Sequence, residues 1–212
     1  MKKIFFYGSS GYFKEQFVWV NDFLQFNKNQ YELAGIIDES KRLYLKKDNF
    51  SGLNILKLSE IPKNDDNEIH LSIGDTILRE KAIKELKDYK IFSYCHPSAI
   101  VSSFAKIGKG VTISPKTIIA GDALVGDYNN FNFGSMISHD CLMKENNTLS
   151  PGVKIMGNCK IGNNNFFGVD AKMIPGTELF DNNLVGANCT ITKNFSSGNI
   201  LVGTPGVVIK KI

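Results

Sequence analysis

Residues 137 to 162 read ISHDCLMKENNTLSPGVKIMGNCKIG, with Ile137, Met143, Leu149, Ile155 and Ile161 spaced six apart. The register extends without a miss from Val101 to Ile191. From Ala105 to Cys189, the residue two places before each such position is Ala, Val, Thr, Asn, Ser or Cys. A helix repeats at 3.6 and a strand at 2, so neither produces this pattern. A hexapeptide repeat does, and it marks a parallel β-helix. The small residues let the corners turn tightly. Gly108, Gly126, Gly162, Gly168 and Gly186 each follow an inner apolar residue and are expected at sharp bends. Asn129-Asn130, Asn146-Asn147, Asn163-Asn164-Asn165 and Asn182-Asn183 are expected at corners, because asparagine tolerates the left-handed backbone conformation.

Residues 1–94 have a different rhythm. Lys3 to Tyr7 reads as a strand ending at Gly8-Ser9-Ser10-Gly11, and a helical pattern follows through Phe13, Phe17, Val20, Phe23 and Leu24. Leu33 to Ile37, Ile69 to Ile73 and Ile91 to Tyr94 read as further strands, and Thr76 to Leu86 as a helix with Asp75 as N-cap. Strands alternating with helices predict a small parallel α/β unit. The charged stretch Lys41 to Asn49 reads as a surface loop. The chain therefore divides into an α/β domain, residues 1–94, and a β-helix domain, residues 95–212. A coil cannot bury its own ends, and the α/β unit supplies a cap. The tail from Gly198, with its Gly203-Thr204-Pro205-Gly206 turn, ends in a short apolar strand or helix.

Composition narrows the function. The net charge is +4, from 25 basic and 21 acidic residues, and no basic stripe points to nucleic acid. No segment approaches the roughly 18 apolar residues of a membrane span, so no membrane insertion is expected. Cys141, Cys159 and Cys189 fall on the small-residue register and read as buried hydrophobes, while Cys95 lies at the domain junction. Without a C-x-x-C spacing zinc is not expected, and a reduced, cytoplasmic setting fits.

Three histidines remain. His70 lies in an apolar strand and reads as a satisfied core residue, and His96 reads as a cap on the coil's start. His139 projects from the middle of the ladder with Asp140 beside it, and packing does not require an imidazole there. Asp140 would hold Nδ1–H and leave Nε2 free as a base. Gly8-Ser9-Ser10-Gly11 reads either as a plain strand-to-helix turn or as a phosphate cradle. It lacks the Lys-Ser/Thr of a P-loop. Asp38-Glu39 reads equally as a strand end or as a ligand contact. Trp19 is expected in the core or an interface.

The segments Ile137-Ser138-His139-Asp140-Cys141, Leu149-Ser150-Pro151-Gly152-Val153, Gly157-Asn158-Cys159-Lys160-Ile161-Gly162 and Ile174-Pro175-Gly176 resemble the hexapeptide-repeat sugar acyltransferases. The likeness is to the sialic acid O-acetyltransferase and bacillosamine N-acetyltransferase group. It extends to the N-terminal Gly-rich turn, Ser72-Ile73-Gly74 and His96-Pro97-Ser98-Ala99. The resemblance implies a left-handed β-helix with about 18 residues per turn, hence about five turns between Val101 and Ile191. It implies a homotrimer with acetyl-CoA as co-substrate between neighbouring coils and no metal. His139 would be the general base and Asp140 its orienting acid. Gly157 would turn its amide toward the thioester carbonyl and Ala187 would contact the coenzyme, while Lys193, with Lys210 and Lys211 as alternatives, would substitute for the phosphate-contacting lysine that the C-terminal turn lacks. Gly8, Ser9, Ser10, Asp38 and Gly74 would bind a nucleotide-linked sugar.

Three positions depart from that group's pattern. Thr148 stands where a second histidine is common, Tyr12-Phe13 replaces His-Gly after the Gly-rich turn, and Gly206-Val207 replaces Ala-Lys in the C-terminal turn. The expected activity is transfer of an acetyl group to the amine of a nucleotide-linked deoxyamino sugar. The alternatives are a sugar O-acetyltransferase, a non-catalytic sugar-binding β-helix, and a γ-type carbonic anhydrase. The last needs three converging histidines, of which only His139 is well placed.

Overall fold

The structure, a computed structural model, describes residues 1–39 and 53–212. The stretch Lys41 to Asn49, read above as a loop, lies outside these residues. Strands β1 (Lys2–Tyr7), β2 (Tyr31–Ile37), β3 (Ile55–Leu56), β4 (Asn67–Leu71) and β5 (Lys90–Ile91) form a parallel sheet in the order β3-β2-β1-β4-β5. Helices α1 (Gly11–Phe26) and α2 (Thr76–Glu85) follow β1 and β4. Alternation along β1 divides the core. Ile4 and Phe6 pack with Phe13, Val20 and Leu24 of α1, while Phe5 packs with Ile69, Ala82 and Leu86. Asp75 caps α2 as expected, its carboxylate accepting from Leu78 N at 2.8 Å. The strand order reverses at β1, so a crevice opens beyond the carboxyl ends of β1 and β4, where open α/β sheets place their ligands.

The expected strand from Ile91 to Tyr94 is split. Lys90–Ile91 pairs with β4, whereas Tyr94–Cys95 pairs with Thr112–Ile113 of the coil. The chain crosses from one sheet to the other there. The pairing of Ile55–Leu56 with Ile36 and Ile37 was not legible in the sequence, because two residues are too few to show a period.

From Tyr94 onward the chain winds into a parallel β-helix with three walls. Wall one carries Ile119, Ile137, Ile155, Met173 and Ile191 in vertical register, each fully buried. It has six strands, wall two has five, and wall three has seven parallel strands closed by the antiparallel Val207–Lys211. The coil is therefore longer than the five turns expected. Strands Tyr94–Cys95 and Asn199–Val202 extend wall three beyond the ends of the apolar ladder. The tail resolves as a strand.

The corner glycines have a different role from the one expected. Gly108, Gly126, Gly162, Gly168 and Gly186 do not have positive φ. At Gly162 a Cβ would stand 2.2 Å from Asp181 Oδ1, so the need is for close approach of the next turn. The left-handed residue lies two places further on, at Gly110, Tyr128, Asn164, Asp170 and Asn188, and at the equivalent corner positions Asp122, Asp140, Asn146, Asn158 and Asn182. The asparagines accordingly divide into two sets. Asn146, Asn164 and Asn182 turn corners, while Asn129, Asn147, Asn165 and Asn183 lie buried inside the coil.

The α/β unit sits against wall three. Trp19 packs edge-on against Phe133 with ring centroids 5.7 Å apart, Tyr12 donates its hydroxyl to Asn130 Oδ1, and Gln16 reaches Ser114 Oγ at 3.2 Å.

Candidate active site

The chain between Met136–Ile137 of wall one and Leu142–Met143 of wall two turns through Ser138-His139-Asp140. Asp140 takes the left-handed conformation, with φ 57°. Its amide donates to Gly121 O at 3.2 Å, which ties the corner to the turn before it. The His139 ring stands out of this corner, 60% exposed, with Nδ1 2.8 Å from Asp140 Oδ2. A carboxylate on Nδ1 selects the tautomer in which Nε2 carries a lone pair facing solvent.

One turn along, Gly157 occupies the equivalent place. A Cβ there would lie 2.6 Å from His139 Cε1 and 2.7 Å from Nε2, so the imidazole rests on bare glycine backbone. Asn158 N donates to His139 O at 3.0 Å and fixes the two corners together. No backbone carbonyl among the described residues accepts from Gly157 N–H. The corner thus presents an imidazole and a backbone amide side by side. Lys193 falls on the same column, three turns from His139, or roughly 14 Å at the ~4.8 Å spacing of neighbouring strands. Its Nζ lies 5.7 Å from the Phe195 ring centre. Ala187 lies on a different corner, between walls three and one, so one chain does not bring it to His139.

Gly8, Ser9, Ser10 and Asp38 converge. They line a cavity of about 320 Å³ at the carboxyl edge of the α/β sheet, together with Tyr7, Glu39, Ile73 and Lys81. Ser9 donates its hydroxyl to Asp38 Oδ2, and Gly8 has φ 102°. The peptides before α1 face this cavity, as a turn that cradles an anion would require. Gly74 lies apart from that lining: Tyr12 Cγ would be 3.4 Å from a Cβ on Gly74, and Gly74 O accepts from Thr148 Oγ1 at 2.8 Å. A larger cavity, about 570 Å³, lies between the start of α2 and the lower part of wall three, and none of the expected site residues lines it.

The other two histidines are structural. His96 accepts from Ser98 N at 3.0 Å at the start of the coil, as expected. His70 is fully buried among Phe6, Phe92 and Tyr94, but neither ring nitrogen has a partner among the described residues. The expectation of a satisfied histidine is corrected: burial in an aromatic box pushes its pKa down to about 3 and holds it neutral.

Arg79 was missed. Its guanidinium is fully buried, with pKa pushed down to about 10 by that burial, and it reaches Asn146, Asn147 and Thr148 across the seam. A single basic residue in an amphipathic helix normally faces solvent. The only signal was composition: the chain has 23 lysines and two arginines, Arg42 and Arg79. Thr148 faces the α/β unit of its own chain through Arg79 and Gly74.

Among the described residues no three His, Cys, Asp or Glu side chains group as metal ligands, and no helix is long and apolar enough to cross a membrane.

No protein-family model matches the sequence, and no curated protein matches it. Solved structures do match its shape. The acetyltransferase domain of PglB from Neisseria gonorrhoeae FA1090 superposes with TM-score 0.85 at 21% identity, covering 99% of this chain and 100% of that one. A mutant of perosamine N-acetyltransferase from Caulobacter crescentus, in complex with CoA and GDP-perosamine, gives 0.80 at 23%, covering 100% and 98%. WeeI from Acinetobacter baumannii AYE gives 0.68 at 20%, covering 99% and 100%. The likeness spans both parts of the chain and places the whole in the left-handed β-helix architecture with an α/β cap.

Proposed function

We propose that this chain is an acetyl-CoA-dependent N-acetyltransferase whose acceptor is the amine of a nucleotide-linked deoxyamino sugar. The observation that carries the reading is the His139–Asp140 pair laid on the bare backbone of Gly157. Acetyl-CoA supplies an acyl carbonyl already activated as a thioester, so no covalent enzyme intermediate is required. His139 Nε2 accepts the proton that the acceptor amine loses as its nitrogen attacks, and returns it to the departing sulfur. Asp140 holds the imidazole in the productive tautomer and stabilises its charged form. The Gly157 amide is placed to donate to the oxygen that gains charge, from a corner that needs no rearrangement. The fit of the thioester end rests on the same glycine, since any side chain would fill that space.

The α/β cavity supplies the acceptor site, with the peptides of Gly8, Ser9 and Ser10 toward the diphosphate and Asp38 toward the nucleoside. The perosamine N-acetyltransferase structure, similar in shape across both domains, holds CoA and GDP-perosamine, which supports a two-substrate reading of the same architecture. Topology bears on assembly. His139 projects from the corner between walls one and two, whereas the α/β unit covers wall three of the same coil. A homotrimer, in which one copy's corner meets another's cap, joins the two half-sites. That arrangement also gives Ala187 of one copy a route to the coenzyme held by Gly157 and Lys193 of the next. Four free thiols suit a reducing, cytoplasmic setting.

The test is acetyl transfer measured with UDP-, GDP- and dTDP-linked amino sugars and with their hydroxyl counterparts. An amide product from one nucleotide class, with turnover reduced ~10²–10⁴-fold in His139→Ala and affinity for CoA retained, is the expected result. Full turnover in that variant would remove His139 from the chemistry, and an ester product would move the acceptor from amine to hydroxyl.

A further inference from the structure

We propose that Arg79 is a positioning residue: it clasps the loop at the mouth of the acceptor cavity to the coil turn that carries His139. The proposal rests on the acetyltransferase reading for its catalytic consequence and on geometry for the clasp itself.

The guanidinium contacts both sides of the seam at once. On the α/β side, Nη1 donates to Ile73 O at 3.0 Å. On the coil side, Nε donates to Asn146 Oδ1 at 2.7 Å, Nη1 to Thr148 Oγ1 at 2.7 Å and Nη2 to Asn147 O at 3.0 Å. Three consecutive coil residues are held by one planar fork. Lysine, a single rotatable charge, offers no equivalent geometry. Thr148 completes the clasp by donating its hydroxyl to Gly74 O at 2.8 Å. Asn146 adds Nδ2 to Thr76 O at 2.9 Å.

Packing alone does not call for this residue. A buried cation has a large desolvation cost, and no carboxylate among the described residues forms a salt bridge with Arg79. An apolar side chain would fill the same volume without that cost. What the fork adds is orientation, and the segment it orients is functional. Ile73 lines the cavity formed by Gly8, Ser9, Ser10 and Asp38. Gly74 and Asp75 link that lining to the start of α2. The coil segment Asn146–Thr148 lies in the same turn as His139, one wall further along. The clasp therefore fixes the cavity on its own coil and, through the packing of coils in the proposed trimer, against the His139 corner of the neighbouring copy, where a displacement near 1 Å between reacting groups costs on the order of 10²-fold in rate. It also accounts for threonine at 148, because a hydroxyl can both accept from Arg79 and donate to Gly74 in the space available.

The experiment compares Arg79→Met, Arg79→Lys, Thr148→Val and the Arg79→Met/Thr148→Val double variant in the full chain. Steady-state kinetics are measured for both substrates, amide hydrogen exchange is followed over residues 72–78, and folded fraction is read by circular dichroism. In Arg79→Met, kcat is expected to fall about 10–100-fold. The acceptor KM rises, the acetyl-CoA KM stays unchanged, and exchange over 72–78 accelerates while the coil remains folded. Arg79→Lys recovers little, and the double variant is no worse than Arg79→Met alone. Wild-type kcat and exchange in Arg79→Met would overturn the proposal, as would a loss of rate that merely follows the unfolded fraction. If the wild-type chain transfers acetyl to no acceptor, the acetyltransferase reading fails, and the exchange measurement alone still decides whether the clasp exists.

Discussion

Gly157 is the residue at which a single added carbon atom would meet the His139 ring. A Cβ there would stand within 2.7 Å of two atoms of the His139 ring, closer than non-bonded atoms approach. Gly157→Ala is expected to swing the imidazole off the corner and lower turnover at least 10-fold, with the melting temperature little changed, because the ring is exposed and free to move. Gly157 stands two places after Ile155 as His139 does after Ile137, 18 residues apart, so the expected turn length already stacked the two positions, and the structure added that the ring rests against the glycine. His70 gives a second outcome at this scale. Its folded pKa, about 3, lies below the ordinary 6.5 of an unfolded histidine. Between those values the unfolded chain binds more protons than the folded one, so stability is complete above pH 6.5 and is lost as pH falls toward 3. Chemical denaturation of His70→Leu across this window should show a shallower loss than wild type, and an unchanged slope would place the acid sensitivity elsewhere. The alternating apolar strand made burial of His70 legible. The lack of a hydrogen-bond partner was not, since it depends on which side chains from other strands close the box.

At the scale of the element, the asparagine column explains why these turns stack in one register. Asn147 N and Nδ2 both donate to Asn129 Oδ1, at 2.8 and 3.0 Å. The same pair of bonds repeats from Asn165 to Asn147, from Asn183 to Asn165 and from Asn199 to Asn183. Each amide oxygen thus serves two donors of the next turn, buried inside the coil. Asn165→Ala would leave Asn183 N without its acceptor, while Asn183 Nδ2 keeps Phe180 O and Asp181 O, a loss of about 1–3 kcal/mol for the one orphaned group. Urea unfolding measures it, and a change under ~0.5 kcal/mol would mean that the ladder is not holding the turns. The repeat showed where the asparagines recur but not which face inward. In Asn146-Asn147, Asn164-Asn165 and Asn182-Asn183 the first residue turns the corner with positive φ and the second enters the core, while at Asn129 the corner is turned by Tyr128, so a spacing of one residue is all that separates the two roles.

At the scale of the whole molecule, His139 stands on the corner between walls one and two while the cap lies on wall three, so the proposed reading makes activity a property of the assembly. Two inactive variants, His139→Ala and one with Asp38→Ala in the cap cavity, should restore activity when unfolded and refolded together. In a mixed trimer about a quarter of the sites would draw both intact halves from different copies. No recovery on mixing, with trimers present by sedimentation, would mean that each chain completes its own site. The period of six determined the β-helix, its inward residues and the exceptional standing of His139 and Asp140, because a register is a local property that each repeat restates. The βα rhythm likewise determined the cap and its Gly8–Ser10 turn. Only the tertiary structure decided that the His139 ring lies against Gly157, that Arg79 joins cap to coil and that Gly74 leaves the acceptor cavity. Those relations depend on contacts between turns, or between the cap and the coil. Such contacts form where residues distant in sequence meet, and a pattern along the chain does not encode which side chains will share that space.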